Sequence, residues 1–156
     1  MNSNQPTKPL SRPEMIKLLN EDLSREYQAI IAYVVYSQVI KGAAYNNIAK
    51  ELEKHAAEEL SHAIKIAKQI DYLGGMPSVV PKPVKTSPEA TKMLKFDLDN
   101  EVTTVANYRV RIRQAEAMNE FALAEILREI ITQEQDHEID LADALGIEVP
   151  SSPPAE

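Results

Sequence analysis

Apolar residues between 13 and 41 recur at threes, fours and sevens: Ile16, Leu19, Leu23, Ile30, Tyr33, Val34 and Val39. That is the period of a helix with one buried face. Ser11 followed by Pro13 and Glu14 predicts its start, with serine as cap, an early proline and a glutamate three residues on. Gly42 predicts its stop. A second helical pattern covers 46–73 and ends at Gly74-Gly75-Met76-Pro77. Residues 74–87 hold three prolines and no stripe. Ser87-Pro88-Glu89 then predicts a restart, with Ser87 as cap and a helix over 88–118. Asn119 marks a break, and a fourth helix over 120–145 is stopped by Gly146. Residues 1–12 read as a flexible arm, and 146–156, rich in proline and serine, as a disordered tail. The folded unit expected is one domain over 13–145.

The long connection selects the topology. A 28-residue helix is about 42 Å long, and an extended 14-residue segment reaches about 46–50 Å. Its prolines favour the extended form. The segment can therefore run the length of the bundle and leave helices two and three parallel. The fold expected is all-α, a ferritin-like four-helix bundle with one long crossover.

Composition narrows the function. The 156 residues contain no cysteine, which excludes disulfides, iron–sulfur clusters, thiolate zinc sites and a cysteine nucleophile. No apolar run of 18 residues and no charged-then-apolar N-terminus is present, so neither a membrane span nor a secretory signal is expected, and a cytoplasmic setting is. A net charge of −7 suits cations better than nucleic acid. The absence of Trp and only 4 Gly argue against a base-stacking platform or a phosphate loop. Lys8 and Arg12 are too few to make a DNA-binding arm.

The chemistry lies in an internal repeat. Residues 22–33 (DLSREYQAIIAY) and 97–108 (DLDNEVTTVANY) share D-L-x-x-E-x6-Y, and 59–67 (ELSHAIKIA) and 134–142 (EQDHEIDLA) share E-x-x-H-x-I-x-x-A. Glu26 precedes Glu59 by 33 residues, and Glu101 precedes Glu134 by 33. In an antiparallel hairpin, residues at one height are equidistant from the turn. The midpoints fall beside Gly42 and beside Met118-Asn119, where turns are predicted. All four glutamates then lie near mid-helix, and each Glu shares a helix face with the His three residues on.

Six candidate ligands result: Glu26, Glu59, His62, Glu101, Glu134 and His137. One glutamate from each of two helices, with Glu-x-x-His from the other two, is the donor set of di-iron and di-manganese carboxylate bundles. Two ions per chain, iron or manganese, suit these donors. Glu59 and Glu134 are expected to bridge them, with Glu26 and Glu101 terminal. Four mid-bundle carboxylates without basic partners would be costly to bury in the absence of a cation. In the metal-free site their repulsion is expected to raise their pKa values.

Further residues have two readings each. Asp22 and Asp97, one turn before the lone glutamates, either accept the free ring N–H of His137 and His62 or face solvent. Tyr33 and Tyr108, two turns after them, either hydrogen-bond a ligand or donate an electron, or are core tyrosines with a satisfied hydroxyl. His55, one turn before Glu59, is read as a surface residue, with a peripheral site through which iron enters as the alternative.

With these residues in hand, the chain resembles the bacterioferritin branch of the ferritin-like superfamily over about residues 14–145. Leu73-Gly74-Gly75-Met76-Pro77 and Ile126-Leu127-Arg128-Glu129 add to the likeness. The resemblance implies a ferroxidase centre within each subunit that oxidises Fe(II) with O2 or peroxide, for iron storage or detoxification. It also implies a homo-oligomer built from dimers. Two departures shape the expectation. The haem-ligating Met that follows the first bridging Glu in bacterioferritins is Leu60 here, so no haem is expected. The fifth helix that lies near the four-fold axis of the cage has no counterpart, which opens a 12-subunit shell or a dimer beside the 24-subunit cage. The competing readings are a non-storing di-metal redox enzyme of the peroxidase or manganese-catalase type, and a bundle with a vestigial site.

Overall fold

A computed structural model describes residues 8–151. Among them are helices α1 (Arg12–Val39), α2 (Asn46–Tyr72), α3 (Ala90–Ala117) and α4 (Phe121–Leu145), one 3-10 turn (Ala43–Tyr45) and no strand. The fold is all-α. Residues 1–7 of the expected arm and 152–156 of the expected tail lie outside the described residues. No described helix is long and apolar enough to cross a membrane.

Local chemistry sets the helix ends. Ser11 caps α1 through the Glu14 N–H, and the Glu14 side chain accepts from the Ser11 N–H, a complete capping box. At α4 the Gly146 φ of 68° lets Ile147 N–H reach Ala142 O and Gly146 N–H reach Asp143 O, which satisfies carbonyls left open by the last turn. The α3 start differs from expectation. The helix begins at Ala90 with Glu89 as the flanking residue, and Ser87 Oγ accepts the Glu89 N–H instead of capping the helix itself. Asn119 takes a left-handed φ of 62° between α3 and α4, a conformation asparagine tolerates.

The crossover is held along α1 at Asn20, Ser24, Gln28 and Tyr36, positions four or eight residues apart and so on one helix face. Asn20 donates to Met76 O and accepts from Ser78 N–H; Ser24 accepts Lys82 N–H on its carbonyl. Gln28 donates to Pro83 O, and the Tyr36 hydroxyl donates to Lys85 O. This strap follows α1 for 16 residues, about 24 Å. Its start is tight against α1: a Cβ on Gly75 would lie 2.5 Å from Ile16 Cγ2. Because the strap delivers the chain to the far end, α3 runs parallel to α2 and antiparallel to α1. The contacts Tyr33–Glu101, Glu26–Tyr108 and Arg12–Glu120 show that direction.

The apolar core is in two parts. Met15, Leu19, Leu23, Ile66, Ile70 and Leu127 fill one end, and Tyr36, Leu52, Leu94, Leu98 and Leu141 fill the other. A buried polar layer lies between them.

Candidate metal centre

That layer contains all six sequence-predicted ligands. Glu59, His62 and Glu134 are 0% exposed, Glu26 and His137 1%, and Glu101 3%. They form two overlapping sets, Glu26/Glu59/His62/Glu134 and Glu59/Glu101/Glu134/His137, each with its donor atoms within 4.8 Å of one another. His62 Nδ1 lies 3.0 Å from Glu59 Oε2, 3.1 Å from Glu134 Oε1 and 3.5 Å from Glu26 Oε2. His137 Nδ1 lies 2.9 Å from Glu59 Oε1, 3.3 Å from Glu134 Oε2 and 3.5 Å from Glu101 Oε1. Glu59 and Glu134 thus turn one oxygen to each histidine, while Glu26 and Glu101 each serve one.

The donor set fits cations. Glu26 Oε2, Glu59 Oε1, Glu134 Oε2 and His137 Nδ1 are buried without a hydrogen-bond partner. With all four carboxylates ionised, two protonated imidazoles would still leave net negative charge in a dry layer, so the layer must take up either metal or protons. Oxygen-rich donors with one imidazole per half suit iron or manganese.

The carboxylates split rather than rising together. Burial, then the charges of Glu134, Glu26 and Glu101, pushes Glu59 far up. Burial, then Glu101 and Glu26, raises Glu134 to about 8. For Glu101 burial also acts upward, but the hydrogen bond and charge of His137, with Glu134 and Tyr33, hold it down at about 2. Glu26 is lowered in the same way, burial being outweighed by hydrogen bonds from Glu59, His62 and Tyr108. Burial opposes charge on His62 and His137, yet the carboxylates around each raise both.

The outer ring nitrogens have partners that sequence reasoning missed. His62 Nε2 is 2.6 Å from Gln133 Oε1, and His137 Nε2 is 2.9 Å from Glu58 Oε2. Each acceptor immediately precedes the glutamate of the opposite Glu-x-x-His. Reading the repeat one position earlier, as Glu58-Glu59 and Gln133-Glu134, is the signal that could have found them. Both oxygens can only accept, so the network assigns Nε2–H to each ring and leaves Nδ1 facing the carboxylates.

Asp22 and Asp97 do not take the expected role. Asp22 is buried and paired with Arg111, Nε to Oδ2 at 2.7 Å and Nη2 to Oδ1 at 3.2 Å. Asp97 is buried with Oδ2 unpartnered, and burial followed by the Glu101 charge pushes its pKa well up. Neither accepts from a histidine. The tyrosines cross between halves: the Tyr33 hydroxyl donates to Glu101 Oε1, and the Tyr108 hydroxyl to Glu26 Oε1. His55 is not a surface residue. It is 1% exposed, its Nε2 is 3.0 Å from Asp140 Oδ2, and its ring stacks on His137 at 4.1 Å between centroids. Arg12 binds Glu120 at 3.1 Å and covers the Tyr72 ring, so it joins helix ends. A cavity of about 260 Å³ beside the crossover, lined in part by Arg25, Lys82 and Thr104, reaches Glu101.

Comparison with known proteins agrees with this architecture. The family model for the ferritin-like domain matches residues 16–148. The chain is 26% identical over 141 residues to the bacterioferritin of Streptomyces coelicolor, covering 86% of this chain and 84% of that one. It is 27% identical over 136 residues to the bacterial ferritin of Pseudomonas aeruginosa, covering 86% and 88%. Among solved structures, a ferritin-like diiron-carboxylate protein of Bacillus anthracis superposes with a TM-score of 0.82 at 32% identity, covering 86% of this chain and 96% of that one. A dodecameric thioferritin, the bacterioferritin-related protein of Bacteroides fragilis, superposes with a TM-score of 0.82 at 28% identity, covering 88% of each. The buried carboxylate and histidine layer, the crossover and these likenesses make the chain a bacterioferritin-like member of the ferritin-like family.

Proposed function

We propose that this protein is a di-iron ferroxidase that oxidises Fe(II) with O2 or peroxide in iron storage or detoxification. The observation that carries the reading is the pair of overlapping donor sets sharing Glu59 and Glu134. In it, Glu26 and His62 hold one Fe(II), Glu101 and His137 hold the other, and Glu59 and Glu134 bridge. Each Fe(II) substrate gives one electron, and two electrons with two protons take O2 to hydrogen peroxide. Gln133 and Glu58 hold the histidine rings so that Nδ1 faces inward. Tyr33 and Tyr108 orient Glu101 and Glu26 by hydrogen bonds. The cavity at Glu101 is the route for the small oxidant.

The reading includes a haem-free homo-oligomer in the cytoplasm. Leu60 offers no sulfur to a haem iron. Exposed apolar side chains on α2 and the crossover, including Ile64 at 61%, Tyr72 at 63% and Val79 at 86%, support an assembly that covers them. The dodecameric relative supports a shell of that size.

Anaerobic Fe(II) loading followed by air tests the reading through near-ultraviolet absorbance against iron per chain. A break at two irons per chain is expected. Continued oxidation with the iron remaining in solution extends it to storage. No break and no acceleration over buffer overturns it, and peroxide turnover by the manganese-loaded protein would replace it with the catalase-type reading.

A further inference from the structure

A third cluster of metal-type donors lies outside the dinuclear layer. Glu51, His55 and Asp140 bring one donor atom each within 4.8 Å of one another. They sit where α2 begins and α4 ends. A cavity of about 230 Å³ opens there, lined by Asn47, Glu51, Asp140 and Asp143 among others. Glu51 and Asp140 are half-buried at its wall, while His55 is 1% exposed. His55 Nδ1 is buried without a hydrogen-bond partner. A buried imidazole that meets Asp140 at 3.0 Å through Nε2, with the Glu51 carboxylate beside it at the cavity wall, is a cation-binding arrangement rather than a solvated helix face.

The internal repeat separates this cluster from the dinuclear centre. Shifting by 75 residues carries Glu26 to Glu101, Glu59 to Glu134 and His62 to His137. The same shift carries Glu51 to Ile126 and His55 to Ile130, and the counterpart of Asp140 is Lys65. Every donor is replaced by an apolar or cationic residue. The cluster is therefore not a by-product of the duplicated ligand pattern. It stands on the His137 side only, where the His55 ring stacks at 4.1 Å against the His137 ring.

We propose that Glu51, His55 and Asp140 form a third, mononuclear divalent-cation site, from which Fe(II) passes to the His137 half of the dinuclear centre. One imidazole and two carboxylates leave coordination positions to water. The site therefore holds its ion less tightly than the neighbouring centre, as a transfer point requires. The transfer role rests on the ferroxidase reading; the site itself does not.

Co(II) is the probe, read by calorimetry and by anomalous scattering from Co(II)-soaked crystals. The wild-type protein is expected to bind three Co(II) per chain, one of them between Glu51, His55 and Asp140. The double variant E51Q/D140N, which keeps His55 and an acceptor for its Nε2, is expected to lose that ion and retain two. The variant E59Q/E134Q is expected to keep only the third. Two Co(II) per chain in the wild type, or no change in E51Q/D140N, overturns the site. Co(II) held by E59Q/E134Q keeps it standing even if the ferroxidase reading fails. Stopped-flow oxidation of limiting Fe(II) tests the transfer role. E51Q/D140N is expected to shift half-saturation to several-fold higher Fe(II), and an unshifted curve overturns the role.

Discussion

The first and second halves of this chain build the same half-centre and surround it differently. Each supplies a lone glutamate, a Glu-x-x-His and a tyrosine, and the inner distances match within a few tenths of an ångström. Around them the equivalence breaks. Asp22 is paired with Arg111, whereas Asp97 has no equivalent guanidinium because the position matching Arg111 is Tyr36, whose hydroxyl donates to Lys85 O. His62 leans on neutral Gln133 and His137 on Glu58. His137 alone has a second imidazole stacked on it. Donor geometry tolerates little change because every ligand must reach the same space. The surroundings needed only to be satisfied, so each half solved that separately.

The largest expected effect comes from removing what the halves share. Glu59→Ala abolishes two-ion binding and returns Fe(II) oxidation to the rate in buffer. Glu26→Ala or Glu101→Ala leaves one ion in the dinuclear layer of each chain, as metal analysis of the purified variants would show. Equal losses in all three would end the distinction between shared and private carboxylates.

Next is the aspartate contrast. Arg111→Leu strands the buried Asp22 charge and costs about 3–5 kcal/mol of unfolding free energy. Asp97→Asn is neutral or stabilising, because it replaces a buried carboxyl that has an unpartnered oxygen and is already held toward its neutral form. Urea unfolding of the metal-free proteins compares them directly.

Metal addition should follow in size. Co(II) or Mn(II) at a hundred times its Kd stabilises by about 2.7 kcal/mol per site. At about 2–4 °C per kcal/mol for this chain length, that is a Tm rise of roughly 5–11 °C per site. An unchanged Tm would remove the electrostatic argument for a metal-filled layer.

The histidine supports come fourth. Gln133→Leu should weaken the His62 half and Glu58→Leu the His137 half, by about 10–100-fold in metal affinity. Glu58→Leu should cost more, since a carboxylate orients and polarises the ring more strongly than an amide.

The split among the carboxylates also predicts a slope with pH. Glu134 is raised from 4.5 to about 8 in the folded metal-free protein. The folded state then binds the extra proton, so its stabilisation is complete below about pH 4.5 and is lost as pH rises to about 8. His62 and His137, also raised, add in the same direction. Glu101, lowered to about 2, contributes throughout that window and does not change the sign. The Tm of metal-free protein should therefore fall from pH 5 to pH 8. A Tm that rises across this window would contradict the assignment.

Much of the centre was legible because metal ligation imposes spacing. The three-residue Glu–His interval and the 33-residue interval both follow from helix geometry and turn position. Gln133 and Glu58 were less legible, since any acceptor of suitable length serves and the type differs between halves. The His55 environment was not legible at all. One histidine on a helix face has no periodic signature, and its partner Asp140 lies 85 residues away.

The chain by itself determined the four helices, their caps at Ser11 and Gly146, the length of the crossover and the six donors. Each of these is a local consequence of residue type or a fixed consequence of helical rise. Only the tertiary structure decided that Arg111 takes Asp22, that each tyrosine reaches the opposite half, that Gln133 and Glu58 cross over to the histidines, and that His55 is sealed against His137. Those pairings depend on how far one helix is rotated and shifted against another, and that is set by the packing of the two apolar cores on either side of the polar layer.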